Sequence, residues 1–228
     1  MTIKAVLLDL DDTLWPVAPV IRHAEAMLQQ WMHAHVPVVA QNYTIEKMRE
    51  YRNALVPTDP RFQYDLWALR MALLEKIFAE HGEDRSKAEL AMAVFADARN
   101  KVSLYEDVLP SLEALAQKLT LGTVSNGFAD LQAIGLASHF KVSIAAYRFG
   151  CGKPDPRIFL AACEALEMEP QHVLYVGDDL LLDVQGAQKA GLRGGWMNRH
   201  GLKIEDERHL HIQPDAEFSN LHDLYRYL

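Results

Sequence analysis

A short, nearly continuous apolar run, Ile3-Lys4-Ala5-Val6-Leu7-Leu8, stops abruptly at Asp9. Such a run predicts a central parallel strand buried on both faces, where alternation of apolar and polar residues is not required. Beyond it the period changes. Val20, Ala24, Met27, Leu28 and Trp31 recur at helical spacing, and two further helical patterns follow before residue 105. One is expected to open at Asp59-Pro60, a capping residue followed by a first-turn proline, and carries Phe62, Leu66, Leu69 and Leu73. A second apolar row on that helix, Trp67, Met71, Leu74 and Phe78, predicts burial on more than one side. The other is expected to open with the capping box Ser86-Lys87-Ala88-Glu89 and to run to about Asn100. Nothing between residues 15 and 105 reads as a strand.

After Tyr105 short apolar strands alternate with helical patterns. Strands are expected over residues 121–125, 142–146, 172–176 and 193–197, and helices over 110–119, 128–136, 155–166, 184–190 and 221–228. This alternation predicts an α/β fold with a Rossmann-like parallel sheet covered on both faces. The helical block then reads as an insertion after the first strand, which divides the chain into a core of residues 1–14 and 106–228 and an α-helical cap of residues 15–105.

Composition narrows the functional classes. The chain of 228 residues is 50% hydrophobic and carries a formal net charge of −8, which disfavours nucleic acid and anionic membrane surfaces as partners. No apolar stretch approaches the ~18 residues of a membrane span. Two cysteines, Cys151 and Cys163, are too few for a disulfide framework or a four-ligand zinc site, and free thiols fit a reducing cytoplasmic setting.

In open parallel sheets the ligand site lies at the carboxyl ends of the strands, so the residues that follow each strand carry the chemistry. The first strand runs into Asp9-Leu10-Asp11-Asp12-Thr13, the second into Ser125-Asn126-Gly127, and the strand at 172–176 into Gly177-Asp178-Asp179 and on to Asp183. A fourth stretch, Gly152-Lys153-Pro154-Asp155, precedes a helix. Together they place Asp9, Asp11, Asp178 and Asp183 around one cavity with Lys153 and Ser125. Two carboxylates ~4 Å apart repel by about 4 kcal/mol at an effective dielectric of 20, so several of them call for a bound cation. An all-oxygen site with room for water and phosphate oxygens suits magnesium. Asp12, Asp155 and Asp179 read instead as turn or helix-capping residues. Among the residues of the helical block, Tyr64 and Arg70 fall off the main apolar stripe and are the better candidates to touch a substrate, while Trp31, Phe62 and Trp67 read as packing residues.

Four stretches in this order resemble the signature motifs of the haloacid dehalogenase superfamily, specifically its phosphatases. The resemblance implies that Asp9 is the nucleophile and Asp11 the general acid and base. It implies that Ser125 and Asn126 belong to the phosphate-binding motif and that Lys153 is its lysine. Asp9, Asp11 and Asp178 become the magnesium ligands, with Asp183 behind them orienting metal-bound water or Lys153. The dehalogenases of the superfamily are similar in the leading aspartate and the Ser-Asn pair but lack an aspartate two positions after the nucleophile. An alkoxide leaving phosphorus needs a proton, whereas a halide does not, so Asp11 favours a phosphatase. Leu174-Tyr175-Val176-Gly177-Asp178-Asp179 through Asp183-Val184, Gly186-Ala187 and Ala190-Gly191, followed by Trp196, is further similar to bacterial phosphatases of flavin mononucleotide and of the phosphoribityl-aminouracil precursor of riboflavin. In such enzymes the cap chooses the substrate. The expected activity is thus magnesium-dependent hydrolysis of a small phosphate monoester through an aspartyl-phosphate. A phosphotransferase or mutase, a haloacid dehalogenase and a catalytically idle binding protein are the rivals. The sequence leaves the identity of the ester and the oligomeric state open.

Overall fold

The computed structural model describes residues 2–204 and 209–228. Its centre is a six-stranded sheet in the order β3-β2-β1-β4-β5-β6, with every neighbouring pair parallel. The strands are β1 (Ala5–Leu8), β2 (Thr120–Ser125), β3 (Val142–Ala145), β4 (Val173–Gly177), β5 (Arg193–Met197) and β6 (Ala216–Phe218). β1 lies between β2 and β4, and Leu8 is level with both Thr123 and Val176. The carboxyl ends of three strands therefore open side by side where the strand order reverses, the usual place for a ligand in such sheets.

The continuous apolar character of β1 has a direct cause in the two layers that cover it. Val6 and Leu8, with Leu174 and Val176 of β4, point into a cluster completed by Val108, Leu112 and Leu115 of α6 (Val108–Ala116) and Leu221 and Leu224 of α11 (Leu221–Tyr227). Ala5 and Leu7, with Val173 and Tyr175, point the other way, onto Ile158, Phe159 and Leu166 of α9 (Pro156–Leu166) and Ala187 of α10 (Gly186–Lys189). Each fully buried aliphatic side chain contributes about 1.5–3 kcal/mol.

Between β1 and β2 the described residues form helices: α1 (Val17–His35), α2 (Pro37–Asn42), α3 (Ile45–Leu55), α4 (Leu66–Ala79) and α5 (Arg85–Arg99) precede α6. α1, α4 and α5 enclose a second core that includes Leu28, Met32, Leu73, Ile77 and Phe95. Where the chain leaves the sheet and where it returns, the two passes touch: the Tyr105 N–H donates to the Leu14 carbonyl at 3.1 Å. The remaining helices, α7 (Leu131–Ile134) and α8 (Ala146–Phe149), are single turns.

Several boundaries differ from the sequence expectation. Asp59 caps only a 3₁₀ turn, Pro60–Gln63, and α4 starts later, where Asp65 accepts the Ala68 N–H at 2.8 Å. α5 is capped by Asp84, which accepts the Ser86 N–H, so Ser86 is already helical and the expected capping box does not form. The helix expected over 128–136 shrinks to α7, because Asp130 caps it and Gly135, at φ +87°, ends it. β6 and the short helices α2 and α3 were not anticipated. Helical structure begins directly after the cap Asp179, as a wide π-helical turn, Leu180–Gln185, ahead of the helix expected over 184–190.

Candidate active site

Each motif is delivered by a local device. Asp9 follows β1 directly and its N–H donates to the Val176 carbonyl at 2.9 Å, which fixes it to β4. The chain then reverses through Asp12, whose φ of +56° is permitted because its carboxylate accepts the Val17 N–H at 2.9 Å. At the end of β2, Ser125 accepts the Gly127 N–H on its hydroxyl. Asn126 grips the backbone of Lys153 from both sides, its Oδ1 accepting the Lys153 N–H at 2.8 Å and its Nδ2 donating to the Lys153 carbonyl at 3.0 Å. Asn126 thereby fixes the loop that presents the lysine. After β4, Asp179 caps the π turn by accepting the Leu181 and Leu182 N–H groups, and the turn carries Asp183 back over the strand end, where its Oδ2 accepts the Asp179 N–H. Gly177 makes this possible, since a Cβ there would lie 2.3 Å from Asp183 Oδ2. Single π turns occur often at functional sites.

The side chains so placed converge. Lys153 Nζ donates to Asp9 Oδ1 at 2.6 Å, to Asp183 Oδ1 at 2.5 Å and to the Tyr175 hydroxyl at 2.9 Å. The Tyr175 hydroxyl in turn donates to the Val124 carbonyl at 2.7 Å, so its lone pairs face the ammonium. Asp9, Asp178 and Asp183 each bring a carboxylate oxygen to within 4.8 Å of one another. Three carboxylates around one ammonium leave two negative charges in excess. The electrostatics register this: burial, with Asp183 and Asp178 nearby, raises the Asp9 carboxyl well above its ordinary value despite Lys153. Burial and then Asp183 push Asp178 up to about 7. Burial opposes the Lys153 charge, yet Asp183 and Asp9 outweigh it and hold the ammonium well above the usual lysine value. The tyrosine hydroxyl is likewise kept protonated by burial and by the two aspartates.

Asp11 stands apart from that trio. Its two oxygens are taken by Arg99 Nη2, at 2.8 and 2.6 Å, and Oδ1 also accepts the Trp15 indole N–H at 2.8 Å. Of the expected magnesium ligands Asp9, Asp11 and Asp178, the first and last have carboxylates that lie together with that of Asp183, while the Asp11 carboxylate is turned toward Arg99. Asp11 and Ser125 flank Gly127, where an added Cβ would meet Asp11 Oδ2 at 2.9 Å and the Ser125 hydroxyl at 3.3 Å. Beside Asp11 opens a cavity of about 410 Å³ walled mainly by the helical insertion. Arg70 and Phe62 line it. Tyr64 instead packs on the Lys153 loop, its Cβ close against Gly152, and Trp31 stacks on His35. Arg99 and Tyr175 were missed in the sequence because one reads as the basic end of a helix and the other as a strand core residue. Cys151 and Cys163 are buried, and burial raises both thiols. No helix among the described residues is long and apolar enough to cross a membrane.

The chain has relatives in sequence and in fold. The 5-amino-6-(5-phospho-D-ribitylamino)uracil phosphatase YigB of Escherichia coli is 28% identical over 226 residues, covering 97% of this chain and 94% of its own. The glyceraldehyde 3-phosphate phosphatase of Methanopyrus kandleri is 29% identical over 236 residues, covering 97% and 95%. Among solved structures, the 2-haloacid dehalogenase of Pseudomonas syringae pv. Tomato DC3000 superposes with a TM-score of 0.89 at 36% identity over 100% of both chains. The model of the haloacid dehalogenase-like hydrolases matches residues 3–191, a span that takes in Asp9, Ser125, Lys153, Asp178 and Asp183. With strand order, strand-end carboxylates and sequence match all in accord, the chain belongs to the haloacid dehalogenase-like hydrolase family.

Proposed function

We propose that this hydrolase is a magnesium-dependent phosphatase of small organic phosphate monoesters, working through an aspartyl-phosphate on Asp9. The observation that carries the reading is the pairing of buried Lys153 with Asp9 and Asp183, with the half-buried Asp178 beside both carboxylates and Asp11 two residues beyond the nucleophile. The donor set fits a magnesium ion: the oxygens are hard, and two negative charges lack a counter-charge. Asp9, Asp178 and Asp183 would hold the ion, which when bound neutralises charge on the phosphate oxygens.

The protein's own groups divide the remaining work. Lys153 holds Asp9 in a fixed rotamer and offers a positive charge to the phosphate, and the Ser125 hydroxyl lies within reach of the same oxygens. An Asp9 oxygen attacks phosphorus while the bond to the leaving oxygen breaks, and that oxygen takes a proton from Asp11. Asp11 then takes a proton from water as the water oxygen attacks phosphorus and frees Asp9. Both roles require Arg99 to release at least one Asp11 oxygen. The helical block, residues 15–105, acts as a cap over this centre, and its two adjacent connections at Leu14 and Tyr105 are the hinge.

The dehalogenase relative at 36% identity favours a second reading, carbon–halogen hydrolysis on Asp9. A paired assay separates the two: phosphate release from aryl and sugar phosphates with magnesium, and halide release from 2-chloropropionate. The phosphatase reading expects magnesium-dependent phosphate release that Asp9→Asn reduces by several orders of magnitude. Halide release alone, or full activity in a chelator, refutes it.

A further inference from the structure

The cavity beside Asp11 has an unusual charge for a chain of net charge −8. Arg52, Arg70 and Arg99 line it against a single carboxylate, Asp11. Asp11 is committed to Arg99, whose Nη1 is buried without a hydrogen-bond partner among the described residues. Among the described residues Arg52 donates only to the Asn53 side chain. Arg70, 7% exposed, makes no hydrogen bond or ion pair among the described residues. The acidic group that acts on it, Glu25, is itself clasped by Arg49 through three hydrogen bonds. Burial of the side chain, with Arg52 adding to it, lowers Arg70 to about 10. Its Cζ lies over the Phe95 ring, 3.6 Å from the centroid, and the residue lines the cavity, so its N–H donors are not used up by the aromatic contact.

Phe62, Leu66, Leu69 and Phe128 supply apolar lining to the same cavity. Phe95, on which Arg70 rests, and Arg99 are four residues apart on α5, so the two arginines meet the cavity from the same face of that helix.

We propose that this cavity is a subsite for a leaving group that is apolar in its body and ends in a second anion, a carboxylate, which Arg70 binds with Arg52 in support. The proposal rests on the phosphatase reading and names its substrate class: phosphate monoesters of hydroxy acids whose two anionic ends are separated by a ring or a comparable apolar stretch. A guanidinium fork matches a carboxylate in two parallel hydrogen bonds, and the flat walls accept a ring face.

The test compares 4-carboxyphenyl phosphate with its neutral partner 4-carbamoylphenyl phosphate in wild type, Arg70→Gln, Arg70→Lys and Arg52→Gln. Taking the ratio of kcat/KM within each protein, and then between proteins, cancels the intrinsic reactivity of the leaving groups. Removing one partner of a buried charge pair should lower the carboxylate preference about 30-fold or more in Arg70→Gln. Arg70→Lys should retain part of it and Arg52→Gln should lose less. Calorimetric titration with 4-hydroxybenzoate, which carries no phosphate, should show Arg70-dependent binding that 4-hydroxybenzamide lacks. Equal ratios in all four proteins, or binding of the two phenols without discrimination, overturn the subsite. Hydrolysis of neither ester, nor of phenyl phosphate, while the benzoate binds in an Arg70-dependent way, overturns the phosphatase reading instead. A second phosphate in place of the carboxylate being preferred by more than the carboxylate itself would overturn the choice of anion.

Discussion

Replacing Asp11 by asparagine removes a charge from a pair that Arg99 cannot re-form elsewhere, so the substitution should cost stability as well as catalysis. Arg99 is 2% exposed at its side chain and Asp11 24%. Asparagine keeps Oδ1, and with it the Trp15 contact, but sets an amide NH2 against Arg99 Nη2 where Oδ2 had accepted at 2.6 Å. Breaking a fully buried pair costs about 3–5 kcal/mol. Partial exposure of Asp11 admits water and discounts this to roughly 2–4 kcal/mol. For a chain of this size each kcal/mol moves the melting midpoint by about 2–4 °C, so a loss near 3 kcal/mol lowers it by roughly 6–12 °C. Thermal unfolding followed by circular dichroism reads the shift. A double-mutant cycle of Asp11→Asn and Arg99→Met should then give a coupling of about 1–3 kcal/mol, because once the arginine is gone the amide has nothing to oppose. In parallel, Asp11→Asn should slow esters with poor leaving groups most, since those need the proton. A midpoint unchanged within about 1 °C, or a cycle whose single effects simply add, would show that the pair does not hold the helical block to the core.

Two other substitutions probe the centre and its frame. Lys153→Met should abolish phosphate release from every substrate alike, whereas Tyr175→Phe, which removes one of the three acceptors around Nζ, should lower kcat by about tenfold with little change in KM; steady-state kinetics on three unlike phosphates checks both. Asp107 accepts from both Arg199 Nη groups at 3.0 Å and from the Leu221 N–H at 2.7 Å; these contacts overcome the upward push of burial and leave its carboxyl below the ordinary value. A depressed folded-state value contributes stability above the unfolded value, near ~4, and loses it as pH falls through the folded value. Asp107→Asn should therefore destabilise by about 1–3 kcal/mol at pH 7 and flatten the acid limb of the stability profile below about pH 4, read by urea unfolding across pH.

The sequence made the sheet legible because its strands are short runs rich in apolar residues, and because two of them, β1 and β4, end in clustered aspartates, Asp9-Leu10-Asp11-Asp12 and Asp178-Asp179; both signals are local. Helix starts were harder to place. Asp59, Asp65 and Asp84 are all capping residues, and only packing decides which of them begins a long helix. α3 escaped notice because Met48 is its only fully buried residue, so it lacks an apolar stripe. β6 is three residues long and depends on β5 for its definition. The carboxylates of the centre were readable from motif order, but their grouping was not. That Asp183 rather than Asp11 joins Asp9 and Asp178 follows from the π turn and from Arg99, which lies far along the chain at a helix end where a basic residue has an ordinary explanation in the helix dipole.

The hydrogen bond between Tyr105 and Leu14 has a consequence for how such a molecule can change over time. It holds the two ends of the helical insertion at one point on the rim of the sheet, so the span between them does not have to match any distance set by the strands. Each doubling of the length between fixed ends adds only about 0.6 kcal/mol of closure entropy. Helices can therefore be added, trimmed or exchanged in that segment while Asp9, Lys153 and Asp178 keep their register. The rim acts as a grafting point, at which one reaction centre can be fitted with different pockets.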